Sequence, residues 1–303
     1  MAIKGYSTEI SEKMERLCDL LESIESSEFL SNRLSLYGGT AMNFIYLDRP
    51  RLSEDLDYNY RHIDEEDWGK VRDKIDERLK FVIRSLDYED DQLKINPKHN
   101  QCRFHIHYTS DQGIKNDIKI EIGYMRRYPD MKEDTFRSLK HLTENRKIKV
   151  MTPRKEELFA NKFATMVSRS KTYLNPRDLF DVRSISMEEF NYRLFLELVT
   201  LETILMDMKY SDLDQIIGRL KHGDISGRIE HLVKGEINFD EMIQDVISFS
   251  RDILDDMTSK DLDQLIDIFY STGVLELKGF KFKKELHPKL SEHPQLRWLR
   301  KNR

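Results

Sequence analysis

Cysteine is scarce in this chain: two residues, Cys18 and Cys102, among 303, with no CxxC pair and no Cys/His spacing suited to zinc. That argues against a disulfide framework and a zinc site, and it fits a reducing compartment. Long apolar runs are missing as well. No stretch of about 18 apolar residues occurs, so no membrane-spanning helix is expected. The opening MAIKGYSTEISEKMERL lacks the apolar core of a secretory signal, and a cytoplasmic protein is the expectation. Excess positive charge is absent too. The formal net charge is -5, so contact with nucleic acid would have to come from local basic patches and not from a global field. There is no internal repeat, low-complexity tract or Gly/Ser linker.

What the chain does contain is a globular balance. Charged residues make up 35% and hydrophobic ones 39%, with 15 Phe and 13 Tyr, enough to build a core. The length suits two domains or one large one. Residues 7–30 read as an amphipathic helix, with Ile10, Met14, Leu17, Leu21 and Ile24 at helical spacing. RLSLYGG reads as a short strand ending in glycines, TAMNFIYL as a short apolar helix, and DLDYNY as a strand. Helical period returns from Glu65 to about residue 86. QLKIN, CRFHIHYT and NDIKIEIGY are strand candidates. In the last, Ile118, Ile120 and Ile122 take one face while Asp117, Lys119 and Glu121 take the other. KIKVMTPRKEELFANKFATMVSR is a strand, a break and a helix, with Thr152 as expected N-cap and Pro153 at the first helical position. Beyond it the period is helical, punctuated by Gly223, Gly227, Gly235 and Gly273. The expectation is an α/β half over 1–150 and an α-helical half over 151–303, sharing a cleft.

The chemistry concentrates in LYGGTAMNFIYLDRPRLSEDLDYNY (36–60). Glycines at a strand-to-helix turn let backbone approach a ligand, and a helix start offers unpaired N–H groups to phosphate; Gly38 and Gly39 stand there, and Thr40 adds a hydroxyl. Alone, such a turn is commonly only a turn. Asp55 and Asp57 add to it. Residues i and i+2 of a strand point the same way, roughly 6 to 7 Å apart. Two such carboxylates repel unless a cation joins them, and Mg2+ takes carboxylate and phosphate oxygens together. The plain alternative for an isolated DxD is a solvated face. Glu121 is a candidate third carboxylate, its alternative being a half-exposed strand. Arg49 and Arg51 could reach phosphate or simply be solvated.

These residues resemble a known family. YGGTAMNFIYLDRPRLSEDLDYNY is similar to the GGT…R-x-S-x-D-[LI]-D block of the AbiEii/MenT nucleotidyltransferase toxins, within the DNA-polymerase-beta-like nucleotidyltransferase superfamily. PRKEELFANKFATMVSR and NPRDLFDV resemble a second block, E-E-L-x-x-x-K…R and [RK]-D-x-x-D. The resemblance implies a nucleotidyltransferase domain with a mixed sheet, followed by a helical domain. It implies that Gly38, Gly39 and Thr40 hold the triphosphate and that Ser53, Asp55 and Asp57 form the nucleotide and metal site. Glu121 would be the third carboxylate, Lys162 a triphosphate contact and Asp178 a required downstream acid. The cofactor implied is Mg2+, with Mn2+ as the alternative, and NTP is the substrate. The partners implied are tRNA, modified at its 3′ end so that translation stops, and a separately encoded antitoxin of a type IV-like or phage-defence system.

Lys162 borders an apolar stripe of Leu158, Phe159, Phe163 and Met166, so its ammonium either reaches water or finds an anion. Arg177 and Asp181, four apart, are expected to pair as helix architecture, leaving Asp178 free to face the cleft. LKGFKFKK (277–284) and the tail RWLRKNR mix basic residues with Phe282 and Trp298, which suits phosphate contact and base stacking. Two rival functions stay open: transfer to a protein or small-molecule hydroxyl, and a non-catalytic nucleotide- or RNA-binding module.

Overall fold

Alternation of isoleucine with charge is the clearest local instruction in the chain, and Ile118, Ile120 and Ile122 are all fully buried. They lie on β5 (Lys115–Gly123), which sits mid-sheet with β1 (Leu34–Tyr37), β2 (Asp55–Tyr60), β3 (Leu93–Pro97) and β4 (Gln101–Thr109). The order is β1-β2-β5-β4-β3. Only β2 and β5 pair in parallel; the other pairs are antiparallel. The sheet is therefore mixed, as expected. The computed structural model describes residues 3–63 and 66–302. The helix start expected at Glu65 and the final basic residue of the tail, Arg303, lie outside them.

Contacts divide the chain into two compact units, one of Met1–Pro129 with Glu133–Pro153, the other of Asp130–Lys132 with Arg154–Arg303. In the first, helix Thr8–Glu25 touches β2 and helix Trp68–Arg84. Ser7 caps the former, its hydroxyl accepting from the Ile10 N–H at 3.2 Å. The single helix expected over 7–30 breaks at Ser26 and resumes as one turn, Glu28–Ser31. Serine hydroxyls compete for backbone partners and so favour such breaks.

Two strands complete this unit. β6 (Thr135–Lys140) and β7 (Lys147–Thr152) form a hairpin. β6 was not legible, because its six residues follow no period of two: Leu139 is buried while Phe136 is 49% exposed. Thr152 is not the N-cap that the sequence suggested. It ends β7, and its hydroxyl donates to the Leu36 carbonyl at 2.9 Å. Arg154 stands at the N-cap position of the following helix without a side-chain capping bond; the hydroxyl that could have capped it is engaged by β1.

The second unit is helical. Helix Lys155–Arg169 packs on Pro176–Ser186 and on Tyr192–Leu205, while Phe239–Ser259 packs on Pro176–Ser186 and Leu262–Thr272. Tyr192–Leu205 is buried from Leu194 to its end, Glu197 and Glu202 included. Glu197 accepts from Arg193 and from the N–H groups of Lys281 and Phe282 at 2.8 and 3.0 Å, which ties the basic 277–284 segment to the core. Among the described residues no helix is long and apolar enough to cross a membrane.

One polar group lies under the sheet. The Tyr58 hydroxyl donates to Glu25 Oε1 at 3.0 Å, and Glu25 Oε2 is buried without a hydrogen bond. Burial pushes this carboxyl up from its ordinary 4.5 to about 8. The folded state then keeps a proton that the unfolded chain has lost between these values, so stability falls as pH rises through that window. Glu25→Gln is expected to remove this fall, at most about 1.4 kcal/mol per pH unit. Urea melts of both proteins from pH 4.5 to 8.5 check it; parallel curves would count against the assignment.

Candidate active site

Tyr37, the last residue of β1, faces Asp57 across the antiparallel pair. The chain then turns through Gly38 in the left-handed region, at φ +65, which glycine adopts without strain. A β-carbon on Gly38 would lie 2.2 Å from Asp57 Oδ2, and one on Gly39 would lie 3.0 Å from both Arg51 Nη2 and Ser53 Oγ. The Thr40 hydroxyl donates to the Asp55 carbonyl at 2.6 Å. So Gly38, Gly39, Thr40, Ser53, Asp55 and Asp57 are brought together as one cluster.

The expected apolar helix is one α turn, Gly38–Ala41, passing into a π turn, Met42–Tyr46. A helix that short has little dipole to offer. The missing glycine side chains here make room for the Asp57 carboxylate and for the Arg51 and Ser53 side chains. The loop beyond holds Asp48 and Arg49 consecutively at φ 47 and 62, a conformation costing roughly 1–2 kcal/mol per residue. The Arg49 N–H donates to the Asn43 carbonyl at 2.8 Å, and Asn43 Nδ2 donates to Gly39 at 3.0 Å. Arg51 is no solvated loop arginine: it is 3% exposed and donates to the Leu52 carbonyl at 2.7 Å.

Asp55 and Asp57 share a face of β2, both half-buried. Their lateral neighbours on β5 are Lys119 and Glu121 respectively. Glu121 thus stands beside Asp57, but its carboxylate pairs with Arg103 of β4. Among the described residues no three His, Cys, Asp or Glu side chains are gathered to hold a metal. The two aspartates are hard oxygen donors on one face of β2, Asp57 seated where a Gly38 side chain would collide, and they suit a Mg2+ ion that keeps much of its water. Arg103 carried no signal of its own in the sequence beyond its place in an alternating strand.

In the second unit, Lys162 Nζ lies 2.9 Å from Asp181 and 3.3 Å from Asp178, and Arg169 lies 2.8 Å from Asp178. Both aspartates are buried. One expectation changes. Asp178, expected to be free to face the cleft, is buried and engaged by Lys162 and Arg169, and Lys162 also reaches Asp181. Residues three apart share a helix face, so one lysine serves both acids. The ammonium beside the apolar stripe finds carboxylates. Asp181 and Arg169 are the members that sequence reasoning passed over; the i, i+3 spacing of the aspartates was the available clue.

A family model for the nucleotidyl transferase AbiEii toxin of type IV toxin–antitoxin systems matches residues 19–268. Among solved structures the chain is similar to the nucleotidyltransferase toxin MenT4 of Mycobacterium tuberculosis H37Rv, at 16% identity over 97% of this chain and 92% of that one, with a TM-score of 0.55. This is a likeness of fold. A looser likeness, TM-score 0.39 at 15% identity, joins 73% of this chain to 98% of an antigenic nucleotidyltransferase-like protein from Paracoccidioides brasiliensis. No curated protein matches the chain.

Gly38→Ala is expected to cost about 2 kcal/mol or more, from the left-handed backbone and the displaced Asp57 carboxylate. Gly39→Ala meets only side-chain ends and should cost less; equal losses in urea melts would contradict this geometry. Lys162→Ala takes a cation from two buried carboxylates and is expected to cost about 3 kcal/mol. Adding Asp181→Asn should restore part of that stability, and a double variant no more stable than the single one would refute the pairing.

Proposed function

The chain belongs to the AbiEii nucleotidyltransferase toxin family of type IV toxin–antitoxin systems, and from that premise we propose that it transfers a nucleoside monophosphate from an NTP to the 3′ end of tRNA, in the cytoplasm, and so blocks translation. The observation that supports this reading most directly is the seating of Asp57 against Gly38. A carboxylate in contact with a phosphate-accommodating glycine turn is what joint capture of a metal and a triphosphate requires.

In this proposal Gly38, Gly39, Thr40 and Ser53 hold the triphosphate through backbone N–H groups and the Ser53 hydroxyl, the Thr40 hydroxyl being given to the Asp55 carbonyl. Asp55 and Asp57 would hold Mg2+ or Mn2+, which when bound activates an attacking oxygen and neutralises a leaving one. Glu121 is the third acid, kept on Arg103 until needed. Lys162 supplies positive charge for the triphosphate as a point charge, and Asp178 and Asp181 hold its ammonium in one orientation. The new bond joins the acceptor oxygen to the α-phosphorus as the α–β bridging bond breaks; pyrophosphate leaves with the electron pair and the acceptor hydroxyl's proton passes to solvent. The family implies a separately encoded antitoxin.

RNA as acceptor draws support from the basic segments. Lys281, Lys283 and Lys284 are exposed on a backbone held by buried Glu197, and Trp298 is 51% exposed, an arrangement suited to phosphate contact and base stacking.

The test is transfer from each of the four α-labelled NTPs, with Mg2+, onto total tRNA or onto lysate. Label is expected to migrate with tRNA. Asp57→Asn should lower the rate by about 10³-fold or more, several kcal/mol of transition-state stabilisation, without changing the melt. Label on protein or a small molecule would replace the acceptor; no label on anything, from folded protein, would leave a binding module.

A further inference from the structure

The sheet has two unlike faces. Leu56, Phe104, Ile106 and the three isoleucines of β5 are fully buried on one. The register places the alternate residues in lateral rows on the other. Asp57, Glu121 and Arg103 make one row; Asp55, Lys119, His105 and Lys94 make the next. Asp117 and His107 begin a third. Several of its side chains reach solvent: those of Lys119 and Arg103 are 50% and 43% exposed, and Lys94 and His107 are exposed.

Charge changes along these rows. β2 carries Asp55 and Asp57; β5 mixes Lys119 with Asp117 and Glu121; β4 and β3 carry Arg103, His105, His107 and Lys94. Arg103 pairs with Glu121, and Asp117 is shared by His105 and Lys119 at 3.8 and 3.9 Å. A nucleic-acid acceptor suits this change, because its reacting hydroxyl must lie at the acids while its phosphates need cations. The His105 and His107 rings stack at 6.5 Å between centroids, 24° apart, and imidazoles are among the side chains on which unpaired bases stack. From β2 to β3 is three strand spacings, about 14 Å, room for a few nucleotides.

We propose that this open face is the platform for the single-stranded 3′ end of the acceptor RNA, running from the acids of β2 across β5 and β4 to β3. Lys94, Lys119 and Arg103 contact phosphates, and His105 with His107 forms the stacking step. Arg103 offers a phosphate the same planar fork that it gives Glu121. The proposal rests on the reading that the acceptor is RNA.

The test uses the full chain and a labelled single-stranded oligoribonucleotide, with binding followed by anisotropy over a range of salt. The variant Lys94→Ala/His105→Ala/His107→Ala leaves the glycine turn and the site acids untouched. It is expected to bind RNA about 10-fold or more weakly, with a salt slope shallower by about 0.7 for the lost phosphate contact, while affinity for a non-hydrolysable NTP stays the same. A second variant, Lys281→Ala/Lys283→Ala/Lys284→Ala, probes the rival surface. If it alone weakens binding, or if the sheet variant binds as wild type does, the platform is overturned and transfer to RNA still stands. If wild type binds no RNA and labels only protein or small molecules, the RNA reading itself fails and the platform falls with it.

Discussion

The closeness of the Asp57 carboxylate to Gly38 constrains everything else at the candidate site. No residue with a β-carbon fits at Gly38, and the φ of +65 makes the same demand through the backbone. That single contact sets where β1 must stop and how β2 must register, since Tyr37 and Asp57 face each other. It also sets Asp55, two residues back on the same face, whose carbonyl is taken by Thr40. The loop between absorbs the strain: a π turn, then two left-handed residues, held by Asn43. Strain of this kind persists only where surrounding structure over-determines it. Here the surroundings include Arg51, buried against Gly39.

The helical unit solves a different electrostatic problem. Asp178 and Asp181 are buried carboxylates, and Lys162 lies beside apolar neighbours, so pairing lowers the cost of burial for each. Arg169 joins them through Asp178. Such clusters lose much when one member is removed and gain little over an apolar core when complete. Their presence is better explained by orientation than by stability, since two carboxylates hold the ammonium in place. Buried Glu197 does comparable work on backbone, fixing the segment that carries Lys281 and Phe282.

Much of this was legible in the residues. β5 declared itself because alternation has only one structural meaning in a half-buried strand. The GGT turn and the DLD strand declared the local cluster, since both the chain reversal and the shared face follow from spacing. β6 was silent because its face is mostly exposed and no pattern is selected. The N-cap at Thr152 was misplaced because a hydroxyl can serve either a helix start or a neighbouring strand, and only packing against Leu36 chose.

The sequence by itself therefore determined the elements whose side chains obey a period, the candidate acids on β2, and the family to which the chain belongs. Tertiary structure decided partnership: that Glu121 turns to Arg103, that Lys162 sits between Asp178 and Asp181, and that Arg103 and Lys94 share the acids' face of the sheet. The physical reason is range. Periodicity and turn chemistry act within a few residues, whereas an ion pair depends on which distant segment brings its opposite charge within about 4 Å, and nothing local encodes that choice.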